Sequence, residues 1–329
     1  MQDEVLDNFI KNNFNKVKIK ELLQDASKRK YYRIKSNNKS FILLDSRAEL
    51  KQFYDLLKIY EIIKDINISI PKIFNYDSNA CMMILEDFGD NRFDKFINNP
   101  EYTSHLLKIA VDCLIILKNS IKIKKSNYIQ TYNIDFFKSE LSEFVDWYIP
   151  FINKKNIDKK YKDDFYNIWE KKFYEIKLNS DSFVHRDYFC NNLFHLPFRN
   201  DHLKCGIIDY QGALLGDSVL DIVSLFEDSR RIINNYNKID LINNYLNKTN
   251  QIKKIDEFLL KYDFFGAARQ TRILGRWVKL FKLNNKKEYL KYINTSWFWL
   301  EKNLNNPFLK EINSLYQDLI PIEKRKYEN

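Results

Sequence analysis

The sequence contains little glycine and little proline, with six residues of each among 329. No Pro- or Ser-rich stretch separates one half of the chain from the other, and no internal repeat is present. We therefore expect its parts to pack closely rather than to hang on a flexible linker. The length and the 45% hydrophobic content suffice for a large core, and they suit two domains or one bilobal unit.

Cysteine is also scarce, and the four thiols have no CxxC spacing and lie among apolar neighbours. We expect them to be reduced and buried, in a cytoplasmic protein. No apolar run approaches the roughly 20 residues that a membrane span requires. The acidic start, MQDEVLDNFI, lacks the basic and then apolar order of a signal peptide. The sequence therefore predicts no membrane partner.

Acidic residues are outnumbered, since 54 Lys and Arg against 44 Asp and Glu give a formal net charge of +10. One interpretation is an anionic partner such as nucleic acid, phosphate or a membrane surface. The other is compositional bias, because Lys, Asn, Ile and Tyr are abundant throughout. The basic residues are scattered and no nucleic-acid motif is recognisable, so we expect no nucleic-acid partner.

Hydrophobic periodicity divides the chain into two parts. The first has the order β-β-α-β-β, at residues 29–36, 41–45, 48–66, 72–76 and 81–90. The second is mostly helical, with helices expected near 101–119, 134–148, 160–178, 255–282 and 286–304. We predict an α+β fold with an N-terminal lobe (1–88) of a small antiparallel sheet plus a helix, and a mainly helical C-terminal lobe (89–329).

The stretch FVHRDYFCNNLF, residues 183–194, places polar side chains at fixed offsets inside an apolar run. A short strand leads to Asp187, Asn192 follows five residues later, and a second strand, GIID, ends on Asp209. Carboxylate and carboxamide oxygens are hard ligands that suit Mg²⁺. An Asp beside a metal-bound phosphate can orient an attacking hydroxyl and accept its proton. The three residues thus supply what phosphoryl transfer needs.

The spacing matches the kinase catalytic loop H-x-D-x-x-x-x-N followed by a separate metal-binding Asp. Taken singly, each residue has a simpler interpretation, since a lone Asp in a loop is most often a cap. We expect His185 to brace the loop by hydrogen bonds rather than to act in catalysis. Asp221, in VLDIVSLF, is expected to be structural and to accept backbone N–H groups of the catalytic loop.

With these motifs the chain resembles the aminoglycoside phosphotransferase-like small-molecule kinases, and within them the bacterial anomeric sugar kinases for N-acetylmuramate and N-acetylglucosamine. The likeness runs through DASKRKYYRI, FILLDS, MILEDFGD, TYNIDFFKSELSEFVDWY, VHRDYFCNNL, GIIDYQGALLGDSVLDIVSLFEDS and GAARQTRILG. It implies a protein-kinase-like two-lobed fold with ATP between the lobes. It also implies phosphate transfer to the C1 hydroxyl of an N-acetylated amino sugar, in cell-wall recycling.

The resemblance also implies roles for single residues. Asp187 would be the catalytic base, and Asn192 and Asp209 would bind Mg²⁺. Glu86 and Asp87 would lie at the hinge, where backbone groups meet adenine. The acceptor site would include residues that match family helices, namely Tyr132, Glu140, Arg269 and Arg272.

The chain departs from the kinase pattern at the phosphates. Leu44 stands where many kinases carry the lysine that pairs with them. Arg29 and Arg33 are the candidates to replace it, and a solvated strand face is the alternative explanation for both. The nucleotide loop lacks glycine, so Asp25-Ala26-Ser27 would approach the phosphates through small side chains, with Ser27 offering a hydroxyl and an N–H.

The acceptor is less well determined by the sequence. Arg269, Arg272, Arg276 and Lys279 recur every three or four residues on one helical face. This face is either simply solvated or recognises an anion such as the lactyl carboxylate of N-acetylmuramate. The alternatives are a kinase of another small alcohol or of an aminoglycoside, and an inactive nucleotide-binding regulator. We expect a monomer.

Overall fold

The N-terminal part of the chain is a five-stranded antiparallel sheet with two helices. The structure is a computed structural model that describes residues 3–23, 27–120 and 129–328. The elements are α1 (Glu4–Asn13), β1 (Lys18–Leu22), β2 (Lys30–Ser36), β3 (Lys39–Asp45), α2 (Leu50–Ile63), β4 (Ile73–Asp77) and β5 (Met82–Glu86). The strand order is β1-β2-β3-β5-β4, and every neighbouring pair is antiparallel.

The rest of the chain is mainly helical. Its helices are α3 (Pro100–Asn119), α4 (Ile134–Glu143), α5 (Ile149–Asn153), α6 (Lys159–Glu175), α7 (Val219–Phe226), α8 (Lys238–Lys248), α9 (Ile255–Asn284), α10 (Ile293–Leu304) and α11 (Lys310–Leu319). Two short antiparallel pairs interrupt them: β6 (Ser182–Val184) with β9 (Leu214–Gly216), and β7 (Leu193–His195) with β8 (Cys205–Ile207). The predicted α+β fold is confirmed, and the division at residues 88 and 89 stays a prediction.

Several local features differ from the sequence prediction, including helices α8 and α11 and strand β9, which were not predicted. The first strand, β1, was not predicted, because four of its five residues are exposed at the sheet edge and show no apolar pattern. Helix α1 was not predicted either; the Asp3 side chain caps it by accepting from the Leu6 N–H. The helix predicted over 134–148 is interrupted, because residues Phe144–Tyr148 form a π-helical turn.

The sheet separates two layers of side chains because its strands alternate between faces. One face packs against α1 in a small cluster of Phe9, Ile10, Tyr32, Ile34, Leu43, Met82 and Ile84. The residues between them on β2 and β3, among them Tyr31, Ile42 and Leu44, belong to the main core on the other side. That core continues into the helical part, so the second face of the sheet looks onto the C-terminal half of the chain.

The four cysteines, Cys81, Cys113, Cys190 and Cys205, are free and buried, as the sequence predicted. Within the described ranges, no helix combines the length and the apolar character that crossing a bilayer requires.

Helix α9 crosses the end of α4 at very short range, and Gly275 makes this possible. A Cβ built at Gly275 would overlap the carbonyl group of Glu143 and lie 2.5 Å from the Phe144 backbone nitrogen. These obstacles are backbone atoms, which cannot rotate away as a side chain can. The crossing matters for the cleft described below, because both elements carry its charged residues.

Replacing Gly275 by Ala should destabilise the fold by about 1–3 kcal/mol, because the two backbones must move apart. Alanine by itself favours a helix over glycine by about 1 kcal/mol, so the sign of the effect is informative. Urea denaturation measures it. Gly212→Ala is the matched control, since its added Cβ would lie 3.6 Å from Arg186 Nη1, an ordinary contact. A Gly275→Ala protein as stable as the native one would contradict the prediction.

Candidate active site

A cleft between the sheet and the helical part has a volume of about 770 Å³. This volume suits a small-molecule ligand. Its sheet side is lined by residues of β2, β3 and β5, and its floor by the loops after β6 and β8. Residues of α9 close the far side: Arg269, Arg272, Ile273, Arg276, Trp277 and Leu280.

The loop after β6 is held by a single buried carboxylate. Asp221 of α7 accepts the backbone N–H of His185 at 2.6 Å and that of Arg186 at 2.9 Å. Arg186 has a φ of 74°, a left-handed conformation that is unfavourable for a non-glycine residue. The two hydrogen bonds stabilise this turn and bring the next residue, Asp187, to the cleft. Burial raises the pKa of Asp221 to about 6, although its hydrogen bonds and His185 act to lower it.

His185 braces the two loops of the floor. It is 1% exposed, and its Nε2 lies 2.9 Å from the carbonyl oxygen of Ile208, a hydrogen bond when Nε2 carries the proton. Its ring meets Tyr188 edge to face. Since Ile208 directly precedes Asp209, the contact fixes the spacing between the loop of Asp187 and that of Asp209.

Asp187, Asn192 and Asp209 all line the cleft. The Asn192 side-chain amide donates to the Asp187 carbonyl at 2.9 Å, which leaves its own amide oxygen as an acceptor. The Asn192 carbonyl accepts the Ile208 N–H at 3.1 Å, so the loops are joined through the backbone as well. Asp209, with a left-handed φ of 67°, accepts from Arg29 at 2.6 Å and from Gln211 at 2.9 Å.

The side-chain oxygens of these residues suit a magnesium ion that binds together with a phosphate. Where Mg²⁺ binds with a phosphate, it takes one or two protein carboxylates and completes its coordination shell with water and phosphate oxygens. Asn192 and Asp209 supply one amide oxygen and one carboxylate. In the described part of the chain, no group of three or more His, Cys, Asp or Glu side chains could hold a metal by itself. The site therefore suits an ion that arrives with an anionic ligand.

The Asp187 carboxylate is half exposed to the cleft, with 50% of its side-chain surface accessible. Its surroundings act on its pKa in two directions. Burial raises it, whereas Arg272, with Nη2 at 4.0 Å, and Arg186 lower it, and the net effect places the pKa below its usual range. Asp187 is therefore ionised at neutral pH and able to accept a proton.

Glu140 links the loop that carries Asp187 to α9. Its Oε1 accepts from Arg186 at 2.8 Å and from Arg272 at 2.6 Å, and its Oε2 accepts from the Tyr132 hydroxyl at 3.0 Å. Burial opposes the charge, but the two arginines and the hydroxyl hold the pKa of Glu140 below its usual range. Glu140 and Tyr132 line a small cavity of about 30 Å³ behind Arg186 and Arg272. The structure thus places both behind the cleft wall, where they orient the arginines.

The basic side chains of α9 form ion pairs with carboxylates and donate hydrogen bonds to a backbone carbonyl. Arg276 lies 2.8 Å and Lys279 3.3 Å from Glu143 Oε1. Arg269 donates to the Glu227 carbonyl at 3.0 Å and lies 3.3 Å from the Ser229 hydroxyl. Arg276 is the most open of the cleft arginines on α9, with 47% of its side chain exposed, against 14% for Arg272.

The opposite end of the cleft is formed by the residues after β5. Asp87 is buried against Arg33, whose Nε and Nη2 lie 2.8 Å and 3.0 Å from its carboxylate oxygens. Arg33 also pairs with Asp90 at 2.8 Å and donates to the Gly89 carbonyl. Glu86 forms an ion pair with Arg199. Asp87 thus meets Arg33 here and Glu86 meets Arg199, whereas Arg29 lies at the end that holds Asp209.

Ser27 is turned inward at that same end. Its hydroxyl donates to Glu49 at 2.8 Å and accepts from the Arg29 backbone and side chain. The hydroxyl is therefore used within the protein rather than offered to the cleft. Asp25 and Ala26, predicted to approach the phosphates with Ser27, lie outside the described residues.

Several cleft residues were not found by sequence reasoning. Glu49 stands immediately before α2, and nothing in its local sequence distinguishes it from other exposed acidic residues. Arg230 lies over the rings of Phe189 and Trp277, at 4.8 Å and 5.2 Å from their centroids. A polar run, EDSRR, directly after the apolar α7 was the pattern that could have pointed to Arg230.

Comparison with known proteins identifies the family of the chain. The family model described as "Phosphotransferase enzyme family" matches residues 18–238. An N-acetylmuramate/N-acetylglucosamine kinase from Caulobacter vibrioides is 25% identical, over 96% of this chain and 95% of the relative. A protein of the same name from Pseudomonas aeruginosa is 23% identical, over 90% of this chain and 86% of its own.

Solved structures show the same fold at low identity. A choline kinase from Streptococcus pneumoniae superposes with a TM-score of 0.60 at 13% identity, covering 95% of this chain and 99% of its own. An ADP-bound aminoglycoside phosphotransferase gives a TM-score of 0.61 at 13% identity, covering 92% of this chain and 97% of its own. The confirmed fold is thus that of protein-kinase-like small-molecule kinases. Because the family model spans residues 18–238, the chain belongs to the phosphotransferase enzyme family and is a small-molecule kinase.

Proposed function

We propose that the protein transfers the γ-phosphate of ATP to the anomeric hydroxyl of an N-acetylated amino sugar, N-acetylmuramate or N-acetylglucosamine. The observation that carries the proposal is the convergence of Asp187, Asn192 and Asp209 in one cleft. The names of the two bacterial relatives, which align over nearly the whole chain, support this choice of acceptor. Such an activity would belong to cell-wall recycling.

The nucleotide would occupy the sheet side of the cleft. Tyr31, Ile42, Leu44, Leu85 and Ile208 form an apolar slot there that fits a flat base. The slot lies between the residues after β5, at one end, and Asp209, at the other. The base would therefore meet the Glu86 and Asp87 segment, and the phosphates would lie towards Asn192 and Asp209, which would hold Mg²⁺. The ion would supply charge neutralisation on the phosphates.

Asp187 would act on the acceptor. Because its carboxylate is ionised and half exposed, it can accept a hydrogen bond from the attacking hydroxyl and take its proton as the new O–P bond forms. Arg272, whose Nη2 lies 4.0 Å from Asp187 Oδ1, attracts the carboxylate electrostatically. Since phosphoryl transfer depends mainly on positioning and charge, little other chemistry is required of the protein.

The α9 side of the cleft would receive the sugar. Arginines 230, 269, 272 and 276 line it, together with Phe189 and Trp277. An aromatic surface suits the apolar face of a sugar ring, and the arginines suit a carboxylate. Arg269 and Arg272 remain our candidates for the inner wall, and Arg276, the most exposed of the α9 residues there, is best placed to meet the acceptor carboxylate.

A second candidate is a kinase of another alcohol, because choline and ethanolamine kinases share the fold. The lining of the cleft argues against a cationic acceptor, since such a ligand would face four arginines. An inactive regulator is disfavoured because Asp187, Asn192 and Asp209 are all present and convergent.

The site of phosphorylation can be tested directly with a panel of acceptors and ATP. N-acetylmuramate and N-acetylglucosamine should be phosphorylated, and choline, homoserine and an aminoglycoside should not. The product should lose phosphate in mild acid, as a C1 ester does. The methyl glycoside of N-acetylglucosamine, in which C1 is blocked, is the matched control. Phosphorylation of the glycoside at the same rate would refute transfer to the anomeric hydroxyl.

Replacing Asp187 by Asn should lower kcat by about a hundredfold to ten-thousandfold, because the proton acceptor is lost. ATP binding, measured by calorimetry, should persist. Because the pKa of Asp187 is lowered, the native rate should hold as the pH falls from about 8 to about 7, and it should fall near pH 6, where Asp221, which holds the loop, takes up a proton. Asp163→Asn, on the exposed side of α6, is the control and should behave as native. Turnover that survives in Asp187→Asn would show that another group is the base.

Replacing Arg276 by Met should raise KM for N-acetylmuramate about five- to tenfold and leave KM for N-acetylglucosamine nearly unchanged, because only the former carries a carboxylate. Lys279→Met is the matched control: Lys279 also contacts Glu143 but lies outside the described lining of the cleft. An equal rise in KM for both acceptors would mean that Arg276 shapes the pocket but does not bind the acceptor carboxylate.

A further inference from the structure

The cation that neutralises the nucleotide phosphates is not where kinases usually carry it. In protein kinases a lysine of the third strand pairs with the phosphates and with a glutamate of the following helix. Here the third-strand position is Leu44, which lines the cleft and is fully buried. The cleft therefore requires its positive charge from another element.

The register of the sheet identifies the position that can replace Leu44. In the antiparallel pair of β2 and β3, Tyr31 lies opposite Leu44 and Arg33 opposite Ile42. Opposed residues of paired strands share a face, and so do residues two apart along one strand. Arg29, two residues before Tyr31, therefore emerges on the face of Leu44, on the adjacent strand. Its burial agrees, since 4% of its side chain is exposed whereas its neighbour Lys30 is exposed.

The contacts of Arg29 repeat the ion pair of the kinases. Its Nε lies 3.5 Å from Glu49 Oε2 and 3.0 Å from the Ser27 hydroxyl, which itself donates to Glu49. Glu49 is the residue immediately before α2, the helix that follows β3. A cation on the sheet and a carboxylate at the adjacent helix are thus both present. The cation lies just before β2 in this chain, instead of on β3.

Two features of Arg29 direct its charge towards a ligand. Its Nη1 is buried and has no hydrogen-bond partner in the described part of the chain. A buried guanidinium N–H without a partner is unfavourable unless a ligand accepts from it. Its Nη2 pairs with Asp209, our candidate for the metal. When Asp209 shares its charge with a metal ion, less negative charge balances Arg29 at that end of the cleft, and Glu49 remains its carboxylate partner.

Arg33, the other candidate, lies at the wrong end. It pairs with Asp87 and Asp90 and donates to the Gly89 carbonyl, all in the segment after β5. None of these three partners belongs to the loops of Asp187 or Asp209. Arg33 therefore fixes the segment after β5 against the sheet.

We propose that Arg29, held by Glu49 and Ser27, is the phosphate-binding cation of this kinase and replaces the third-strand lysine. The inference rests on the proposed function, because it requires that the cleft binds ATP.

Calorimetry on the full chain tests it, with adenosine and ATP as ligands in the presence of Mg²⁺. Arg29→Met should weaken ATP binding about ten- to hundredfold and leave adenosine binding unchanged, because adenosine carries no phosphate. Arg29→Lys, which keeps the charge, should retain more affinity for ATP than Arg29→Met. Lys30→Met removes an equal charge from the opposite face of the sheet and should bind both ligands as the native chain does.

The outcomes separate this inference from the proposed function. A native chain that binds ATP no better than adenosine would refute the proposed function itself. A native chain that prefers ATP, with an Arg29→Met variant that keeps the same preference, would overturn only the role of Arg29. If Arg29→Met does not fold, Glu49→Gln decides: weaker ATP binding with unchanged adenosine binding supports the inference, and unchanged binding of both overturns it.

Discussion

The candidate active site depends on a carboxylate that lies behind the cleft, buried in the protein. Asp221 accepts two consecutive backbone N–H groups and so stabilises the left-handed turn at Arg186. Without these bonds the chain after β6 would relax towards a more favourable conformation, and Asp187 would leave the cleft floor. His185 then transmits this fixed position to the loop of Asp209 through the Ile208 carbonyl. The convergence of the three oxygen-bearing side chains is thus a property of backbone geometry before it is one of side-chain chemistry.

Around Asp187, Asn192 and Asp209, the arginines of the cleft form ion pairs with carboxylates. Arg29 faces Asp209, Arg272 faces Glu140, and Arg276 faces Glu143. Burying a charge is costly unless a partner compensates for it, so the buried Arg29 and Arg272 are held by their carboxylates before any ligand arrives. A preorganised set of this kind suits phosphoryl transfer, in which the protein contributes mainly electrostatic stabilisation. The net charge of +10 is much less informative about the function of the cleft, because it is spread over the whole surface.

Much of the fold could be predicted from the sequence because it rests on local periodicity. The spacing of Phe53, Leu57 and Ile63 predicted α2, and the order of elements around FVHRDYFCNNLF predicted the loops that carry Asp187 and Asp209. The exposed edge strand β1 could not be predicted, since its stability comes from pairing with β2 rather than from apolar residues of its own. The π-helical turn at Phe144–Tyr148 likewise has no mark in the sequence; a close backbone crossing at Gly275 accompanies it.

By itself, the sequence determined the type of chemistry, because the offsets between His185, Asp187, Asn192 and Asp209 are short-range and belong to one loop-strand unit. Only the tertiary structure decided which distant charges join them. Arg29 and Asp209 are 180 residues apart, and Glu140 and Arg272 are 132 apart, yet each pair is in direct contact. Such pairs depend on sheet register and helix crossing, which no local pattern encodes. For the same reason two arginines of one predicted strand, Arg29 and Arg33, looked equivalent in the sequence, yet in the folded chain Arg29 lies just before β2 against Asp209 and Arg33 lies on β2 against Asp87.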